Sequence, residues 1–261
     1  MLFDSEPIDS RPTADDFPHR IWAEEEIPEA YRPFLTADRP FENMIFSPKP
    51  PYARDAREYL LSWTENDLLY LEKQRGQSIR SVQIVQEQVC AVLVSEDLLK
   101  GEYQIFSEGS SEPLRFHFNR SRNELYQAVL PVLLGVVQPT KNGVCPQTLY
   151  TSEYALFNYS SAAFRLGEKI KPWQWWKIPR PLLRFGGRTK DGAALLCGME
   201  HGSVVIQIQN TQVSTWYLLK GKASAVIEQA KDTQQLRIFG GQKEICRISR
   251  LKPEGAEDKT T

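Results

Sequence analysis

The residues best placed to do chemistry are a cluster of cations and indoles, Lys171-Pro-Trp-Gln-Trp-Trp-Lys-Ile-Pro-Arg180, which sets Trp173, Trp175 and Trp176 beside Lys171, Lys177 and Arg180. Over 165–190 eight bases stand against one acid, Glu168, a local charge of +7. Indole rings are amphipathic and sit at headgroup level in a bilayer, where lysine and arginine meet anionic lipid. The same composition fits a protein partner. It also fits a proline-bounded linker whose rings pack between two domains. Interleaved cations and aromatics can stack on single-stranded nucleic acid, but a whole-chain charge of −1 argues against that partner.

Catalytic constellations are not in view. His19, His117 and His201 lie far from one another and from Cys90, Cys145, Cys197 and Cys246, and no two cysteines form a CxxC pair. Zinc sites draw their ligands from such short spacings. The chain contains no P-loop to cradle phosphates, no GxGxxG dinucleotide turn and no GxSxG nucleophile elbow. Phe185-Gly-Gly-Arg188 and Phe239-Gly-Gly-Gln242 read as turn glycines at strand ends. No metal or cofactor is expected, and the thiols read as reduced and buried, as in a cytoplasmic protein. The longest apolar run, Ala128 to Val137, is too short to span a bilayer, and the acidic Met-Leu-Phe-Asp start has no signal-peptide pattern. A cytoplasmic location, at most peripheral to a membrane, is expected.

Short alternating runs must position these residues. Tyr59–Trp63, Leu68–Leu71, Val82–Gln86, Val89–Val94, Tyr103–Phe106 and Leu114–Phe118 are rich in β-branched and aromatic types. Turn signals such as Thr64-Glu-Asn-Asp67 and Arg75-Gly-Gln77 separate them, the pattern of an antiparallel meander. Period 2 places Phe116 and Phe118 on the buried face and His117 on the wet one. At Ser121 the period becomes helical. Ser121 and Glu124 have capping-box spacing, and Leu125, Ala128, Val129, Val132, Leu133 and Val136 share one face. Pro131 should kink or end that helix.

A meander closed by one helix resembles the bacterial members of the pleckstrin-homology-like superfold, and Leu60-Leu-Ser-Trp-Thr-Glu-Asn-Asp-Leu-Leu-Tyr-Leu-Glu72 is similar to their opening hairpin. The resemblance implies a curled sheet or barrel plugged by the helix. It also implies recognition of lipid headgroups, peptides or partner domains, with no catalytic residues to carry over.

Residues 1–50 hold eleven acids against five bases, a charge of −6, and eight prolines. That composition predicts an extended acidic arm, pinned at most through Ile21-Trp22 and Phe41. Residues 51–138 are expected to form the first domain, and 139–187 a helix (153–166) followed by the basic linker. A second meander at 188–250 and a polar tail at 251–261 complete the chain. Ser81–Leu93 aligns faintly with Thr215–Ile227, and Tyr103–Phe106 with Leu236–Phe239, so the second meander reads as a tandem copy of the first. The fold class expected is mainly β with a few helices. The function expected is non-enzymatic binding or scaffolding, directed at a protein partner or an anionic membrane surface. The alternative is an enzyme or small-ligand binder with its site in a cleft between two β domains.

Overall fold

Alternating apolar runs make strands here almost wherever they occur. The computed structural model describes residues 16–49, 57–76, 78–136, 156, 173–179, 191–199 and 202–256. Among them the protein is mainly β, as the alternation predicts, with two antiparallel sheets of five and ten strands. The chain divides into two compact units. One comprises Met1–Ser62 with Leu69–Val82, the other Trp63–Leu68 with Gln83–Thr261.

The first unit is built on the five-stranded sheet. Its strands are β1 (His19–Arg20), β2 (Met44–Ser47), β3 (Tyr59–Trp63), β4 (Asp67–Lys73) and β5 (Ile79–Val85), paired in that order. Ile21, Ile27, Tyr31 and Met44 pack with Leu60, Leu69 and Leu71 in its core. The expected acidic arm is therefore corrected, because much of it is fold. Its acids Glu24, Glu25, Glu26 and Glu29 stand exposed while the apolar residues between them point inward. Average composition hides that pattern. Three of its prolines sit at tight turns: Pro33 is the second residue of a 3-10 turn at Arg32–Phe34, Pro40 precedes another at Phe41–Asn43, and the carbonyl of Pro28 accepts the Tyr31 amide at 2.9 Å. Of the expected anchors, Ile21 is buried in this core, whereas Trp22 and Phe41 are exposed, Trp22 by 68%.

The second unit holds β6 (Val89–Asp97), β7 (Lys100–Ser107), β8 (Leu114–Asn119), β9 (Trp173–Ile178), β10 (Gly192–Met199), β11 (Gly202–Gln209), β12 (Gln212–Leu219), β13 (Ala223–Ala230), β14 (Thr233–Gly240) and β15 (Lys243–Ala256). Their order is β13-β14-β15-β9-β10-β11-β12-β6-β7-β8. The tandem arrangement fails on this topology. β12 pairs with β6 through seven registered positions, from Gln212↔Asp97 to Leu218↔Ala91, so both expected domains contribute strands to one sheet. The cause is a shared apolar face: Trp216 and Leu218 lie opposite Leu93 and Ala91, in one cluster with Trp176, Ile178, Leu236, Ile238, Ile248 and Leu251. The sheet is open, with β13 and β8 at its edges.

The expected helix is broken in two. A 3-10 turn at Arg120–Arg122 leads into α1 (Asn123–Tyr126), and α2 (Val129–Leu134) follows. The break falls where the Pro131 ring would meet the carbonyl of Gln127, four residues back. The start is capped by Asn119, whose side-chain oxygen accepts the Ser121 amide at 3.0 Å, in place of the Ser121–Glu124 box. Gly135, left-handed at φ 68°, ends α2.

Candidate functional site

The indole cluster is a strand. β9 is interior to the ten-stranded sheet, between β15 and β10, and Pro179 follows its last residue, where no ladder bond is lost. Trp176 is fully buried, and its Nε1 donates to Gln234 Oε1 at 2.7 Å; Trp175 is buried too. Neither ring is offered to a partner. Trp173 belongs to the strand, and Lys177 is exposed on it. Lys171 and Arg180 lie outside the described residues. The basic linker is thus corrected over 173–178: alternation and three aromatics outweigh the flanking prolines.

One row of registered pairs crosses the sheet at the carboxyl end of β9. It runs Ile178↔Gly192, Ala193↔Ile208, Gln209↔Gln212, Gln212↔Asp97, Asp97↔Lys100 and Lys100↔Asn119. This row gathers at one end of the sheet the β6–β7 loop, the β11–β12 loop and the β8–α1 corner. At the same end Lys177 is registered opposite Lys252, both exposed. Like charges placed directly opposite destabilise a strand pair.

Beyond the row stands Leu98-Leu99, the two-residue loop of the β6–β7 hairpin, with exposures of 65% and 71%. Leu98 has φ 49°. The first loop residue is left-handed in three other two-residue hairpins of this unit, at Asn210, Lys231 and Gly241. Asparagine and glycine suit that geometry, whereas a branched side chain costs about 1–2 kcal/mol there. The leucine tip is nonetheless held firmly. Arg120 donates its backbone amide to the Leu99 carbonyl at 2.9 Å and its Nη1 to the Leu98 carbonyl at 3.4 Å.

The tip stands on an ordered base. Tyr103 stacks on Phe116 with centroids 5.0 Å apart, and Phe118 and Tyr126 pack together at 4.9 Å. The Tyr103 hydroxyl donates to the Tyr126 carbonyl at 3.3 Å. Burial pushes the Tyr103 and Tyr217 phenols far up, so neither ionises in the working range. Acids near the tip are already engaged. Glu96 accepts from Asn123 and pairs with Arg120 at 3.6 Å, and Asp97 accepts the Thr211 hydroxyl at 2.6 Å. Lys100 and Arg122 are exposed beside them.

This tip was missed in the sequence. Its signal is Glu96-Asp-Leu-Leu-Lys100, a polar turn whose two central places carry leucine where asparagine or glycine is the usual choice. Among the described residues no group of three His, Cys, Asp or Glu is arranged to hold a metal ion, and no helix is long and apolar enough to cross a membrane. No protein-family model matches the chain, and no curated protein matches it in sequence.

Proposed function

We propose that this is a non-catalytic binding protein that docks on an anionic membrane surface through the loop end of its ten-stranded sheet. The observation that carries this reading is the Leu98-Leu99 tip, two exposed leucines on a loop whose backbone leucine disfavours. A convex pair of aliphatic side chains on a rigid hairpin suits insertion among lipid headgroups. Full burial of each leucine contributes about 1.5–3 kcal/mol, and each cation close to an anionic leaflet about 1 kcal/mol.

Lys100, Arg122, Lys177 and Lys252 supply positive charge at this end.

Co-sedimentation with phosphatidylcholine vesicles, with and without phosphatidylserine, tests it. Wild type should pellet with the anionic vesicles and release as salt rises through ~0.15 M. Leu98→Ser with Leu99→Ser should weaken binding at least ~10-fold while leaving the fold intact. Equal binding by the double variant would overturn the role of the tip.

A further inference from the structure

We propose that Arg57 and Arg80, on the five-stranded unit, form a binding site for a phosphate-bearing ligand. The site begins with β4. Leu69 and Leu71 of that strand point into the core, which puts Tyr70 and Glu72 on the opposite face. The Glu72 side chain is only 3% exposed. A carboxylate so buried must be paired, and Arg57 Nη1 donates to its Oε1. The Tyr70 hydroxyl also bonds to Glu72, and burial together with that negative charge holds the phenol protonated as a donor.

Both partners hydrogen-bond to Glu72. Arg80 then adds a second guanidinium, with Nη1 3.9 Å from Oε2, beyond hydrogen-bond reach. The Arg57 and Arg80 side chains are 60% and 55% exposed. A guanidinium carries five N–H donors in a planar fork, and most of these two forks face water. Glu58, next to Arg57, is already engaged by Lys73 at 3.3 Å and by the Tyr31 hydroxyl at 3.2 Å. Three cations therefore meet two carboxylates, which leaves one positive charge over.

Two guanidinium groups at one carboxylate are the donors that a tetrahedral oxyanion would use. Arg57 and Arg80 stand against the two oxygens of one carboxylate, and in the proposed site one phosphate accepts from a donor of each. Arginine matches phosphate oxygens with parallel N–H bonds, which a lysine cannot do. The bond from Arg57 to Glu72 fixes one fork before the ligand arrives, which lowers the ordering cost of binding. Surface pairing with Glu72 alone would not need Arg80 at all.

The test is an NMR titration with inorganic phosphate against sodium chloride at matched ionic strength. Phosphate should shift resonances of Arg57, Arg80 and their neighbours where chloride does not. Arg80→Ala leaves the Arg57–Glu72–Tyr70 contacts in place, so its unfolding temperature should match wild type while its phosphate affinity falls at least ~10-fold. Arg80→Lys should recover only part of that loss. A second arm uses vesicles containing phosphatidic acid, whose headgroup is a phosphate monoester. Arg80→Ala weakening inorganic phosphate alone assigns a soluble ligand, and weakening the vesicles as well assigns a headgroup. If phosphate and chloride act alike on wild type, or if Arg80→Ala binds phosphate as tightly as wild type, the site does not exist. Neither result depends on Leu98 or Leu99, which lie in the other unit.

Discussion

Two residues show how type and environment disagree in opposite directions. Leu98 is apolar, exposed and left-handed at φ 49°. Asparagine tolerates that backbone, so Leu98→Asn should stabilise the protein by about 1 kcal/mol while weakening attachment to anionic vesicles. Thermal unfolding and co-sedimentation on one preparation check both, and a destabilised variant would show that the leucine packs. Trp176 is the converse case, an aromatic from a basic segment that lies wholly inside. Trp176→Ala should cost about 3–5 kcal/mol, with an added penalty at Gln234 Oε1, which loses its 2.7 Å donor. A chemical denaturation midpoint near that of wild type would contradict the buried position.

Among the elements, the β13–β14–β15 meander has the most developed charge pattern on its surface. Arg237 on β14 bridges Glu228 on β13 and Glu244 on β15, at 2.7 and 2.5 Å, and Arg247 joins Glu244 at 2.7 Å. Bonding from Arg247, followed by Arg237, lowers the Glu244 carboxyl from its ordinary 4.5 to about 2. A depressed carboxylate stabilises the fold above its unfolded pKa and stops doing so as pH falls through its folded one. Wild type should therefore exceed Glu244→Gln in stability at neutral pH, and the gap should close between pH 4.5 and about 2. A gap constant across that window would mean that the pairing does not stabilise. The β14–β15 turn within this meander was legible in Phe239-Gly-Gly-Gln242. In the 121–136 helix the kink was legible in Pro131, but the Asn119 cap, which takes the Ser121 amide in place of Glu124, was not.

At the scale of the molecule, the boundary between compact units lies near 62–83, inside the stretch 51–138 expected to form one domain. Removing residues 1–50 would delete Ile21, Ile27, Tyr31 and Met44 from the core around Leu60, Leu69 and Leu71. The deletion should abolish slow hydrogen exchange in β3 and β4. Protection unchanged at Leu60, Leu61 and Leu71 would mean that the segment is dispensable after all.

What the sequence by itself determined was local. Alternation set the strands from Tyr59 to Phe118 and from Gly202 to Ile248. It also set the inward Phe116 and Phe118 and the outward His117, because side-chain direction in a strand repeats every two residues whatever the strand pairs with. Only the tertiary structure decided pairing. Nothing in Val89–Asp97 or Gln212–Leu219 states that these strands are neighbours, since backbone ladders are alike and the apolar face of one fits many others. That one pairing turned two expected domains into one sheet. The candidate sites divide in the same way. Leu98-Leu99 could be noticed in a turn, but its exposure and its place beside Arg120 depend on β8 lying next to β7. Arg57, Glu72 and Arg80 meet only because β4 brings a carboxylate under two side chains distant in sequence.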